Sequence, residues 1–109
     1  MNQALLTRAE EMILLAIWKL QGEAYGVTIR KHLSEVTQRE WAIGSIYVPL
    51  ERLTRRGLVR TLQGPSTPER GGRSKRYYLL TARGVAALNE VRRIQELMWS
   101  ELPKLAFGS

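Results

Sequence analysis

The hydrophobic period changes twice along this chain, and the two changes restrict the folds open to it. Up to Gly57 apolar residues recur every three or four positions, the spacing of amphipathic helices. Leu58-Val59-Arg60-Thr61-Leu62 and Lys75-Arg76-Tyr77-Tyr78-Leu79-Leu80 then read as strands, the second rich in the aromatic residues that suit a pleated surface. Between them Gln63–Gly72 holds Gly64, Pro65, Pro68, Gly71 and Gly72, a loop of turn-forming residues. From Thr81 the helical period returns. With 109 residues there is material for one core, so helices, one hairpin and a last helix belong to one compact unit.

Each helix carries its own start and stop signals. Thr7, with Glu10 three positions on, forms a capping-box pattern ahead of the run Met12–Trp18. That run has almost no polar face, so the helix to Leu20 is expected to be buried on several sides. Trp18, Trp41 and Trp99 are core candidates on their size and apolar character. The second helix spans about Tyr25 to Val36, with Tyr25, Ile29, Leu33 and Val36 as one stripe and His32 on the exposed side. A third is expected from Gly44-Ser45 to Gly57, with Ile46, Leu50 and Leu53 inward and Pro49 in its first turn, where a missing N–H costs little. Thr81 caps the last helix, Ala82 to about Leu102, which Pro103 ends.

Charge narrows the function. The chain carries 17 Lys and Arg against 10 acidic residues, all Glu, for a net +7, with no Cys and one His. These counts remove disulfides and thiolate chemistry and leave too few ligands for most metal sites; no cofactor is expected. No nucleophile–base pair or glycine-rich phosphate loop is present, so an enzyme is the weak reading. The longest apolar run falls far short of the ~20 residues of a spanning helix, and the expectation is a soluble, cytoplasmic protein without a membrane partner. The excess charge is concentrated. Residues 51–76 hold Arg52, Arg55, Arg56, Arg60, Arg70, Arg73, Lys75 and Arg76 against only Glu51 and Glu69. Such a cluster suits phosphates, though a solvated charged face has the same composition.

Three short helices followed by a hairpin form the winged helix-turn-helix arrangement, mainly α with a small β-hairpin and here a long C-terminal helix. Its third helix enters the major groove of double-stranded DNA and its hairpin reaches the adjacent backbone. Ser45, Tyr47, Arg52 and Arg56 are the DNA-binding candidates on the third helix, and Arg70, Arg73, Lys75 and Arg76 on the wing. Tyr47 suits core packing as well, and Arg55 can instead pair with Glu51, four residues earlier. Glu10 and Glu11 are explained by a helix N-terminus. A wing or helix that binds RNA or a protein partner is the alternative reading.

On the last helix Leu88, Val91, Gln95, Met98, Leu102 and Leu105 step by three and four as a heptad seam. The seam can pair with a second copy, making a homodimer, or pack back on its own domain. Trp99 flanks it and can line a ligand pocket between two subunits or simply pack.

The chain also resembles the PadR family of transcriptional regulators, short type. The resemblance is carried by Ala24-Tyr25-Gly26, Gly44-Ser45-Ile46-Tyr47, Leu50, Arg52-Leu53, Gly57-Leu58-Val59, Gly71-Gly72-Arg73, Lys75-Arg76-Tyr77-Tyr78, Leu80-Thr81 and Gly84. Pro49 departs from it, since many members have the proline directly after the tyrosine. The resemblance implies a winged helix over residues 1–80 and a dimerisation helix over residues 81–109. It further implies a dimeric DNA-binding regulator, usually a repressor, often released by a small aromatic or amphipathic effector.

Overall fold

The structure, a computed structural model, describes residues 5–66 and 74–101. Three helices, α1 (Arg8–Leu20), α2 (Gly26–Thr37) and α3 (Ile43–Arg55), precede the strands β1 (Val59–Ser66) and β2 (Ser74–Leu80) and the helix α4 (Ala82–Ser100). The core lies among the three helices and the base of the hairpin. Ile13, Leu14, Ile29, Ile46, Leu50 and Leu53 are almost wholly buried in it.

The capping box opens α1 as its pattern requires. Glu10 N donates to Thr7 Oγ1 at 3.0 Å, and Thr7 N donates to Glu10 Oε1 at 2.9 Å. The helix packs against α2, α3, β2 and α4 and so is buried on several sides, but one face stays open. Leu15 and Trp18 lie on the one face left uncovered by its neighbours, and Trp18 is 56% exposed, so it is not a core residue. Trp41 is half-buried, its ring N–H donating to Thr37 Oγ1 at 3.0 Å. In α2 the apolar stripe runs out early: Ile29 and Leu33 are buried, while Val36 is exposed.

The third helix starts earlier than its sequence pattern suggests. Because α3 begins at Ile43, Pro49 sits inside it rather than in the first turn. A proline there leaves the carbonyl four residues back without a partner. That residue is Ser45, which is exposed, so water can serve its carbonyl, and Pro49 itself packs into the core with Ile46 and Leu50. Burial of the ring offsets the lost bond.

At its other end α3 closes with paired bonds. Gly57 N donates to Thr54 O and Leu58 N to Leu53 O, both at 3.0 Å, with Gly57 at φ 77°. This is a Schellman closure, and its left-handed residue favours glycine. The first period change is thus a physical corner.

Beyond the corner the two strands pair antiparallel, with Val59 opposite Leu80, Thr61 opposite Tyr78 and Gln63 opposite Arg76. β1 continues past Leu62 to Ser66, into the stretch expected as loop. An irregularity between Gln63 and Ser66 takes up Gly64-Pro65 before Ser66 meets Ser74, so turn residues sit inside a bulged strand. Tyr78 N donates to Ala24 O at 2.8 Å, which ties β2 to the α1–α2 connection.

Thr81 joins the second period change to the first. Its hydroxyl donates to Gly57 O at 2.6 Å and accepts from Gly84 N at 3.1 Å, while its own N donates to Leu58 O at 3.1 Å. One side chain caps α4 and fastens it to the end of α3. Thr81→Val, which keeps the shape and removes the hydroxyl, should lower unfolding free energy by about 1–2 kcal/mol in urea titration. An unchanged midpoint would remove this joint from the account of stability.

Candidate nucleic-acid interface

Two faces of α3 divide its polar residues. Successive residues turn by about 100°, so Ser45, Arg52 and Arg56 share one edge, while Tyr47, Val48, Glu51, Thr54 and Arg55 form the outer stripe. The edge is turned toward α1. Arg52 Nε donates to Glu10 Oε2 at 3.2 Å, and Arg56 Nη1 lies 3.6 Å from Glu10 Oε1. Glu10 is 3% exposed. A carboxylate buried to that degree needs charged partners, and the two arginines supply them. Arg52 and Arg56 are therefore engaged in holding α3 against α1, a role the sequence reading did not assign them. Glu10, read from sequence as a helix-terminal acid only, is the residue that reading missed; its partner lies 42 positions away, where no local pattern points.

The outer stripe faces a cleft of about 460 Å³ shared with the wing. Its walls are Tyr47, Val48, Glu51, Thr54 and Arg55 of α3 and Thr61, Arg76 and Tyr78 of the hairpin. Tyr47 is partly exposed here and also lies over the start of α2. A Cβ at Gly26 would fall within the Tyr47 phenol, so this glycine is what admits the ring. Arg55 makes no ion pair with Glu51 among the described residues.

Strand alternation separates the wing cations. Arg76 and Tyr78 turn toward α3, where the Arg76 guanidinium lies beside the Tyr78 phenol. Burial pushes that phenol above its ordinary range, Arg76 pulling the other way, so it is neutral at physiological pH. Lys75 and Tyr77 turn to the other side. Lys75 Nζ sits 4.5 Å from the centre of the Tyr25 ring and 3.3 Å from its hydroxyl, and Tyr77 packs edge-on against Tyr25 at 5.4 Å. Arg70 and Arg73 lie outside the described residues.

The heptad seam on α4 is likewise split. Leu88 packs on the domain's own core, and Gln95 Nε2 donates to Glu11 Oε1 of α1 at 3.2 Å. Val91 is half-buried. Met98 and Trp99 are 65% and 63% exposed, with Leu97 beside them, so Trp99 is not a core residue in the single chain. Leu102 and Leu105 lie outside the described residues. His32 is half-buried and lines an apolar groove with Trp18 and Val36. No group of His, Asp or Glu suited to a metal ion occurs among the described residues, and no helix there is long and apolar enough to cross a membrane.

A helix-turn-helix with an open outer stripe, joined by a cleft to an arginine-bearing hairpin, defines a winged-helix DNA-binding protein. The profile of the Transcriptional regulator PadR-like family matches residues 13–90, and the chain belongs to that family of DNA-binding regulators. It is similar to a PadR-like transcriptional regulator from Bacillus cereus, at 26% identity and a TM-score of 0.67, with 84% of each chain covered. It is also similar to a PadR family transcription regulator from Clostridium difficile, at 25% identity and a TM-score of 0.61, covering 89% of this chain and all of that one. A transcriptional regulator from Clostridium thermocellum shares the fold at 21% identity and a TM-score of 0.69, with 84% of each chain covered. No curated protein matches the chain.

The joint between α1 and α3 is open to test. Glu10→Ala leaves two arginines without their acid and breaks the capping box, and should destabilise the protein by about 3 kcal/mol in denaturant unfolding. Glu10→Gln, which keeps the capping bond, should lose less. Equal stability of all three forms would show the ion cluster to be idle.

Proposed function

We propose that this chain acts in the cytoplasm as a homodimeric repressor of transcription, binding a palindromic operator in double-stranded DNA. The observation that carries the reading is the cleft in which Tyr47 and Arg55 of α3 meet Arg76 of the wing. In this reading α3 lies in the major groove with Tyr47 and Ser45 near its leading end. Arg55 and Arg76 take phosphates, and Lys75, Arg70 and Arg73 extend the grip along the backbone. Arg52 and Arg56 act by fixing the angle of α3 through Glu10.

Dimerisation is supported by the exposed apolar end of α4. Leu97, Met98 and Trp99 are each more than half exposed, and a second copy would cover them, with Val91 and Leu102 along the same seam. A small aromatic effector held near Trp99 at that junction would alter the spacing of the two α3 helices and release the operator. Half-sites should then lie about one DNA turn, ~34 Å, apart. The alternative, single-stranded RNA, needs free stacking aromatics. On the described part of the wing Tyr78 is buried and Tyr77 is packed on Tyr25, so these strands offer no free stacking pair, which favours the duplex.

Arg55→Ala and Arg76→Ala should each make the dependence of log affinity on log salt shallower by about one. Arg52→Ala should leave that slope unchanged while lowering stability. Unchanged slopes in the first two variants would remove both residues from the phosphate contacts.

Met98→Glu places a charge on the apolar end of α4. Sedimentation should show wild-type dimers and variant monomers, and the variant should lose its preference for a full palindrome over a half-site. A dimer that survives the substitution would move the interface elsewhere.

A further inference from the structure

We infer that Glu51 selects a cytosine in the duplex this protein reads, and that Val48 meets a thymine methyl on a neighbouring base pair. The inference rests on the DNA-binding reading above and deepens it.

Glu51 is the only acidic residue of α3, and it stands in the middle of the exposed outer stripe, between Val48 and Arg55. Two cations border it, Arg55 on its own helix and Arg76 across the cleft, yet it forms no ion pair among the described residues. The arginines that do hold an acid, Arg52 and Arg56, are bound to Glu10 on the other edge. Among the described residues nothing occupies the acceptors of the Glu51 carboxylate. On a surface that approaches phosphates such a group opposes binding of every sequence alike.

A base edge reverses that penalty only where it offers a donor. In the major groove guanine presents two acceptors and thymine an acceptor with a methyl group. Adenine offers its amine beside the N7 acceptor, which repels a carboxylate. Cytosine offers the N4 amine without such a neighbour, so it alone suits Glu51. The same charge that attracts cytosine disfavours the other bases, so discrimination arises from both signs of the interaction. Val48 lies three residues earlier, a rise of about 4.5 Å along the helix, close to one base-pair step. It is 54% exposed and apolar, the chemistry that thymine's methyl group meets well.

The test is selection of bound duplexes from a randomised pool by the full chain, by Glu51→Gln and by Glu51→Ala. Glutamine pairs with adenine through its amine and N7, so the two variants should diverge. The wild type should enrich cytosine at one position of each half-site, Glu51→Gln should enrich adenine there, and Glu51→Ala should show no preference. Replacing that cytosine should cost the wild type roughly tenfold in affinity and cost Glu51→Ala nothing. Retained binding to arbitrary duplex at low salt shows that each variant is folded. One shared consensus for all three proteins would overturn the inference and leave DNA binding standing, as would a change at a position where the wild type prefers another base. A wild type that binds no duplex would defeat the DNA-binding reading itself, and this inference with it.

Discussion

A single buried carboxylate sets the position of the helix that faces the proposed ligand. Glu10 accepts from Thr7 N through Oε1 and from Arg52 through Oε2, with Arg56 beside Oε1, so both oxygens are occupied. Removing such a charge from water is unfavourable unless its partners are fixed in geometry, and that requirement restricts α3 to one placement against α1. The next residue, Glu11, reaches Gln95 on α4. The first turn of α1 is therefore attached to both the outer helix and the terminal one.

The hairpin is held by a comparable economy of contacts. Thr81 fastens its exit to Gly57 and Leu58, and Tyr78 N fastens β2 to Ala24. Between these anchors the alternation of β2 sends neighbouring cations to opposite sides, Arg76 to α3 and Lys75 to Tyr25. A basic run in sequence is thereby resolved into one residue on the cleft and one that braces the wing against the start of α2.

Much of the fold was legible in the chain. The cap at Thr7, the corner at Gly57, the cap at Thr81 and the strand character of Leu58–Leu62 and Lys75–Leu80 depend on neighbours a few positions apart. Pro49 lies a turn deeper in α3 than its pattern suggests because burial of its ring compensates a lost bond, which local rules do not register. Ser66 belongs to a strand because pairing with Ser74 overrides the turn character of Gly64 and Pro65. Trp18 is exposed because hydrophobic character says nothing about which face a neighbour covers.

By itself, then, the sequence determined the order of elements, the caps at Thr7 and Thr81, the corner at Gly57 and the concentration of charge between Glu51 and Arg76, because backbone capping, side-chain period and charge count are local quantities. Only the tertiary structure decided which cations are spoken for. Arg52 and Arg56 face a carboxylate from another helix, whereas Arg55 and Arg76 share a cleft with Glu51, which holds no ion pair among the described residues. Long-range ion pairs follow from how helices pack, and the packing is a property of the whole core.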